Sequence, residues 1–524
     1  MVLAVINNPF HYEMEKLTMA FFPETKFRVE RIGTLEAVRR FGKIGASNEF
    51  SKLFPNDTEV ITVMLYSDIS AEKETGKDAK HKLIEILVQF ESTESNEFLA
   101  EAETVSADMP IEDMELVAAR LLYKILSKVT GVEPSWGVLT GVRPSKLMHK
   151  LMTEMGDEGA KSYFTDSLLV TPKKTELAMS VAKAEQKIMA ESKPDSFSFY
   201  VSIPFCPGRC SYCSFVSSAV NTPSAQKLIP VYFENLLAEI KRSGELAKEA
   251  GIQMLSAYVG GGTPSILTAE QIDTLLQTVY ASFDMSHCRE FTFEAGRPDT
   301  ITAEKLSAIM DNGIDRISIN PQTMSDDVLS AVGRHHSVQQ VYDAYSAARS
   351  LGFRNINMDL IAGLPSDTPS GFEDSVRKIV DLSPESITVH TLSYKRSSDL
   401  SFDDGMFAHT KDTALMVDKA SEILYDNGYI PYYMYRQTKS VGNLENVGWC
   451  KPGYESIYNI YMMEECHTIL ACGAGAVTKL KDPYGPELER IFNFKYPYEY
   501  NDRFEELLAR KEALRDFYAR RTHD

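Results

Sequence analysis

A chain of 524 residues with 44% hydrophobic and 25% charged side chains is an ordinary globular chain, long enough for roughly three domains. Its formal charge of -19 argues against a nucleic acid or an anionic membrane as the main partner, because both draw on clustered Lys and Arg, although a local basic pocket stays open. Seven cysteines, sparse and odd in number, do not make a disulfide framework. No apolar run approaches the roughly 20 residues of a spanning helix, and Met1 to Asn8 carries no basic leader, so a cytoplasmic protein is expected.

The first part, residues 1–131, alternates β-rich runs (Glu59 to Tyr66, Lys82 to Phe90) with helical ones (Tyr12 to Phe22, Ile111 to Val129), which predicts a small α+β domain. The polar stretch Asp68 to His81 reads as a solvated loop between two of its strands. No catalytic constellation stands out there. Residues 132–195 read as a helical connector, with helical patterns at Ser145 to Met155 and Lys174 to Met189, closed by the boundary Lys193-Pro194-Asp195.

Beyond that boundary the pattern becomes regular. Strand-like runs at Phe197 to Ile203, Ala257 to Val259, Glu290 to Glu294, Arg316 to Ile319, Ile356 to Ile361 and Ser386 to Leu392 are separated by amphipathic stretches of helical length. Alternating β and α predicts a parallel sheet, with the site at the strands' C-terminal ends where the loops gather. The first run reads as a strand buried on both faces. It leads into Cys206, Cys210 and Cys213, spaced C-x3-C-x2-C. A closed zinc site would need a fourth ligand, and the neighbourhood offers neither a fourth cysteine nor a histidine. Three thiolates suit a cubane iron-sulfur cluster with one iron left open to a small ligand.

The later loops carry their own signals. Gly260-Gly261-Gly262-Thr263-Pro264-Ser265 follows the second strand, where a glycine run is either a tight βα turn or a close backbone approach to a ligand. Glu294 ends the third strand, and a carboxylate there is costly to bury without a partner. Gln322, Arg334 and Asp359 come after or within the fourth and fifth strands. Taken singly, an Arg after a helix or an Asp in a strand is more often a structural ion pair. Cys450, Cys466 and Cys472 are irregularly spaced and read as buried free thiols.

The cysteine spacing, with Tyr212 just before the last thiol, resembles the signature of the radical S-adenosylmethionine (SAM) enzymes, and the string Tyr200-Val201-Ser202-Ile203-Pro204-Phe205-Cys206 resembles that of the oxygen-independent coproporphyrinogen III dehydrogenase family. The resemblance runs well from about Ser196 to Ser398 and continues through Tyr433 to Leu480. It implies an α/β fold, an incomplete six-fold (β/α) barrel over residues 196–400, followed by a C-terminal lid or substrate region over 401–524. It also implies a [4Fe-4S] cluster on Cys206, Cys210 and Cys213, and SAM held by Tyr200, Tyr212, Phe215, Gly260, Gly261, Gly262, Thr263, Glu294, Gln322, Arg334, Asp359 and Ile361. Tyr200 is also the expected catalytic side chain. Gly473-Ala474-Gly475-Ala476 resembles a further family element.

The resemblance implies that one electron delivered to the cluster breaks the sulfonium C–S bond and yields a deoxyadenosyl radical, the cofactor carrying that step. Two propionates of coproporphyrinogen III would become vinyls. Implied partners are the tetrapyrrole and a one-electron donor such as a flavodoxin or ferredoxin. Ser202 stands where the family usually has histidine, and Phe215 where the decarboxylases carry a fourth cysteine, as in the branch that includes haem chaperones. Methyl transfer with ring opening of haem, and haem carriage without turnover, are therefore alternatives. Four substrate carboxylates call for local cations, for which Arg396 (with Lys395) and Arg436 (with Lys439) are the candidates.

Overall fold

The computed structural model describes residues 1–22, 25, 27–33, 54, 56–67, 83–213, 215, 217–393, 410–437 and 440–520. The chain divides into two compact units, Met1–Met179 and Ser180–Asp524. In the first, a five-stranded sheet has the order β2-β1-β3-β4-β5, with β1 Val2–Ile6, β2 Arg28–Ile32, β3 Glu59–Ser67, β4 Leu83–Ser92 and β5 Glu97–Ser106. Strand β1 is parallel to β2 and β3, and β3 to β5 form an antiparallel meander. Helices α1 (His11–Phe21) and α2 (Ile111–Thr130) meet through Phe21 and Tyr123, ring centroids 5.3 Å apart. This is the expected α+β arrangement. The expected loop Asp68 to His81 lies outside the described residues. Helix α3 (Pro144–Ser162) lies in the first unit, and the division between the units falls within α4 (Pro172–Met189), short of the boundary expected at Lys193-Pro194-Asp195.

The second unit is built on one sheet of eleven strands, ordered β14-β15-β13-β12-β11-β10-β9-β6-β16-β17-β18. Its six central strands are those expected: β6 Ser196–Ile203, β9 Gln253–Gly261, β10 Glu290–Gly296, β11 Arg316–Gln322, β12 Asn355–Ala362 and β13 Ser386–Thr391. All pair in parallel in chain order. Between them lie α5 (Pro223–Glu249), α6 (Ala269–Ser282), α7 (Ala303–Asp311), α8 (Asp326–Ala331), α9 (Val338–Ser350) and α10 (Pro369–Leu382). Side-chain caps start several of them, among them full capping boxes at Thr268/Gln271 and Ser337/Gln340. The result is an open, partial (β/α) barrel.

Helix α11 (Thr410–Asp426) comes next, and the residues beyond it continue the same sheet at both edges. Strands β14 (Ile430–Arg436) and β15 (Glu445–Cys450) add antiparallel to β13. At the other edge β16 (Thr468–Cys472) runs parallel to β6, making a seventh parallel strand, and β17 (Val477–Lys481) and β18 (Leu488–Phe492) follow antiparallel.

The first central strand is buried on both faces, as expected, and those faces differ in chemistry. Phe197, Phe199, Val201 and Ile203 alternate with Ser196, Ser198, Tyr200 and Ser202. The same alternation recurs around the barrel, and the polar set forms one hydrogen-bonded inner face. Ser198 meets Ser256 at 2.6 Å, Arg316 donates to Thr292 at 3.2 Å, Asn357 donates to Ser318 at 2.8 Å, and Thr388 donates to Asn357 at 3.1 Å. A lumen lined this way can hold a polar ligand without leaving buried groups unpaired.

Candidate functional site

Strand β6 runs into the cysteine loop through Pro204. Two short parallel segments, β7 (Phe205–Cys206) and β8 (Ser218–Ala219), close that loop. The Ser218 N–H donates to the Pro204 carbonyl at 3.0 Å and the Val220 N–H to that of Cys206 at 2.9 Å. Inside it, the Cys213 N–H donates to the Cys210 carbonyl at 3.1 Å, and the Ser211 N–H reaches the Val332 carbonyl at the end of α8. Cys206 and Cys210 are buried and Cys213 is half-buried, all as free thiols. Burial, with the charges of Cys206 and Cys210 adding, pushes the Cys213 thiol up to about 11. A bound cation reverses that balance and deprotonates the thiols. Among the described residues no three His, Cys, Asp or Glu groups converge on one metal ion.

The glycine loop lies directly against the cysteine loop. The Gly262 N–H donates to the Ile203 carbonyl and the Thr263 N–H to that of Phe205, each at 2.8 Å. A Cβ on Gly262 would sit 2.9 Å from Cys206 Sγ, so only glycine lets the two loops touch.

Two bulges then re-aim the strand ends. In β10 the pairing slips between Glu294 and Gly296, and in β11 between Ile319 and Gln322. Glu294 turns into the lumen, where Oε1 accepts the Tyr258 hydroxyl at 2.5 Å. Burial, opposed by that hydrogen bond and reinforced by the charge of Asp359, carries its carboxyl up to about 7. Gln322 adopts a left-handed φ of 70°, and its Oε1 is buried with no hydrogen-bond partner. Such an acceptor is costly unless a ligand meets it.

Arg334 is buried and spans the site. One guanidinium nitrogen donates to the Tyr212 hydroxyl and another to the Asn320 carbonyl, each at 2.7 Å. Burial and then the Arg334 charge press neighbouring His336 down to about 3, so it stays neutral. Tyr212 packs with Ile361 in an apolar cluster that includes Val328, Val332 and Leu392. Asp359 accepts from Asn357 at 2.8 Å and lies 3.8 Å from His390 Nε2. Burial would raise its carboxyl, but His390, Asn357 and Thr388 hold it below the ordinary range. Tyr200 stands on the inner face of β6, its ring 6.3 Å from that of Tyr258. Phe215 is two-thirds exposed beyond the last cysteine.

The chain thus brings Tyr200, the three cysteines, Tyr212, Gly260 to Thr263, Glu294, Gln322, Arg334, Asp359 and Ile361 to the C-terminal ends of neighbouring strands. Of the candidate substrate cations, Lys395, Arg396 and Lys439 lie outside the described residues. Arg436 is buried at the end of β14, with Nε donating to the Asn443 carbonyl at 3.0 Å and Glu445 opposite it on β15. Cys450 and Cys472 are buried thiols in β15 and β16, on opposite sides of the central strands, as expected, whereas Cys466 is only half-buried. Tyr258, Tyr458 and His390 were missed as site residues. Their signal was the two-residue spacing that puts Tyr258 on the face of Gly260, and His390 on that of Thr388.

These groups fit a three-thiolate cluster and a ligand with amine, carboxylate and hydroxyl groups. The radical SAM superfamily profile matches residues 200–379. The chain is 41% identical over 387 residues to the oxygen-independent coproporphyrinogen-III oxidase-like protein HemZ of Bacillus subtilis, covering 73% of this chain and 77% of that one. It is 31% identical over 303 residues to the heme chaperone HemW of Haemophilus influenzae, covering 57% and 74%. Among solved structures, coproporphyrinogen III oxidase (HemN) of Escherichia coli matches with a TM-score of 0.47 and 21% identity, over 62% of this chain and 72% of that one. Radical SAM proteins use a [4Fe-4S] cluster together with SAM. The chain belongs to the radical SAM superfamily and, within it, to the family of oxygen-independent coproporphyrinogen-III oxidase-like proteins.

Proposed function

We propose that this protein oxidatively decarboxylates propionate side chains of coproporphyrinogen III, giving the vinyl groups of protoporphyrinogen IX. The observation that carries the reading is the intact set of ligand-holding groups beside the cysteine loop, above all the buried, unpartnered Gln322 amide oxygen. Such an acceptor suits a bound cofactor at the strand ends, which turnover requires. Cys206, Cys210 and Cys213 would hold the cluster. The backbone edge from Gly260 to Thr263, with Tyr200, Glu294, Gln322, Arg334, Asp359 and Ile361, would hold SAM. When bound, the two supply a carbon-centred radical at the end of the lumen. The protein's part is to place the propionate and keep water and oxygen out. Per propionate, one hydrogen atom leaves the carbon attached to the ring, the carboxylate leaves as carbon dioxide, and one electron passes to an acceptor. Arg396 and Arg436 are proposed as the cations that meet the propionates.

A second reading is haem carriage without turnover. It is favoured by exposed Phe215, standing where decarboxylases have a cysteine, and by the likeness to a heme chaperone. The test is an anaerobic incubation of reconstituted, dithionite-reduced protein with SAM and coproporphyrinogen III. Vinyl products with matching release of methionine support the proposal. Tight haem binding with no vinyl product supports the second reading instead.

A further inference from the structure

Phenols crowd the lumen around Glu294. Tyr258 lies two residues before Gly260 on β9 and donates its hydroxyl to Glu294 Oε1. Its ring stacks on Tyr458, with centroids 4.6 Å apart and 23° between the planes, and Tyr458 in turn stacks on Tyr200 at 6.2 Å. Tyr458 comes from the first turn of α12 (Ile457–Glu464), which is tied down by Glu290. The Ile457 N–H donates to Glu290 Oε2 at 2.7 Å and Ser456 Oγ to Oε1 at 2.8 Å. The helix thereby fixes Tyr458, and Tyr458 fixes Tyr258. Gly260 makes the space, since a Cβ there would lie 2.7 Å from the Tyr258 ring and 3.0 Å from Glu294 Oε1.

We propose that Tyr258 is a positioning residue for SAM: by holding Oε1 of Glu294 it fixes the carboxylate against which the α-ammonium of SAM is seated. The proposal rests on the reading that Glu294 receives that ammonium. Around Glu294 stand the Tyr258 hydroxyl and Gly261 N–H from β9, Tyr200 from β6, Arg316 from β11, Asp359 from β12 and Tyr458 from α12. Burial and Asp359 favour the neutral acid, whereas the Tyr258 hydrogen bond, Arg316 and Gly261 favour the carboxylate. Removing the hydroxyl therefore raises the pH at which the carboxylate is lost, by about one to two pH units for a hydrogen bond to a charged group.

Tyr258→Phe keeps the ring in the stack and deletes only the donor. The experiment measures equilibrium binding of SAM between pH 6 and pH 9 to anaerobically reconstituted parent, Tyr258→Phe and Glu294→Gln proteins of equal iron content. The ammonium of the ligand sets the alkaline limb, near the usual α-amino value of about 7.7–8.0, in all three. The expected result is an acid limb moved upward in Tyr258→Phe by about one to two pH units, and no acid limb in Glu294→Gln, whose affinity is low throughout. An acid limb in Tyr258→Phe that overlays the parent's, or a loss by the same factor at every pH, overturns the proposal while leaving Glu294 as the ammonium's partner. If Glu294→Gln binds SAM like the parent, that reading of Glu294 fails and takes the proposal with it.

Discussion

At Gly262 the backbone runs so close to the cysteine loop that an added Cβ would lie 2.6 Å from the Phe205 carbonyl. Backbone is what it would strike, so the strain cannot be relieved by a side-chain rotation. Gly262→Ala should lower iron and sulfide content after reconstitution by at least half, the effect also expected of a single Cys206→Ala, and full content would show that the loops can part. Glu294 gives a second prediction, in pH. Its folded carboxyl titrates near 7 instead of its ordinary 4.5. In between, the folded state keeps a proton that the unfolded state has lost, so stability is full below the lower value and falls as pH rises through the higher one. Glu294→Gln removes that titration. Cofactor-free Glu294→Gln should match the parent near pH 5 and exceed it by about 1–2 kcal/mol near pH 8 in denaturant unfolding, a figure discounted because the side chain is half-buried and water in the lumen reaches it. Parallel pH profiles would contradict it. The cysteines, the glycine loop and Glu294 were legible because covalent order sets their spacing. Tyr258 carried only its two-residue spacing from Gly260 and Tyr458 no signal at all, because their partners are 36 and 200 residues away.

Elements tell the same story in period-two terms. The six central strands were found by their apolar residues, and their order followed from the alternation with helices. The serine and asparagine rows between those residues were passed over, although they make the lumen. In the first unit, β5 escaped notice because Glu97 to Ser106 reads Glu-Phe-Leu-Ala-Glu-Ala-Glu-Thr-Val-Ser, a composition suited to helix. It is an edge strand that carries exposed Glu103 and half-buried Glu101, the latter paired with Lys124 and Lys128 of α2, and charges on an edge discourage further pairing. On β15, Gly448 lets the Tyr433 ring of β14 lie across the strand, since a Cβ there would fall 1.8 Å from Tyr433 Cε1. Gly448→Ala should force that ring away and cost about 1–3 kcal/mol in unfolding free energy. Unchanged stability would mean the ring has another place to go.

At the scale of the whole molecule, residues 401–524 were expected as a lid, and the described part of them is also sheet, supplying both edges of the structure whose middle carries the site. Long-range pairing of that kind leaves no local mark. Glu239 of α5 shows why: its buried carboxylate accepts from the Gly473 N–H at 2.8 Å, Asn493 Nδ2 at 2.7 Å and the Tyr500 hydroxyl at 2.6 Å, and pairs with Lys511 at 2.9 Å. Apart from Gly473, each partner is ordinary in sequence, and only the fold collects them around one charge. No described helix is long and apolar enough to cross a membrane. The account as a whole assigns this scaffold a hydrogen abstraction from a propionate. The most direct measurement supplies coproporphyrinogen III deuterated at the propionate carbon attached to the ring, and reads the mass of the 5′-deoxyadenosine released under anaerobic, reducing conditions. The account predicts deuterium in that product together with a vinyl group on the tetrapyrrole, and unlabelled 5′-deoxyadenosine beside unchanged porphyrinogen would contradict it.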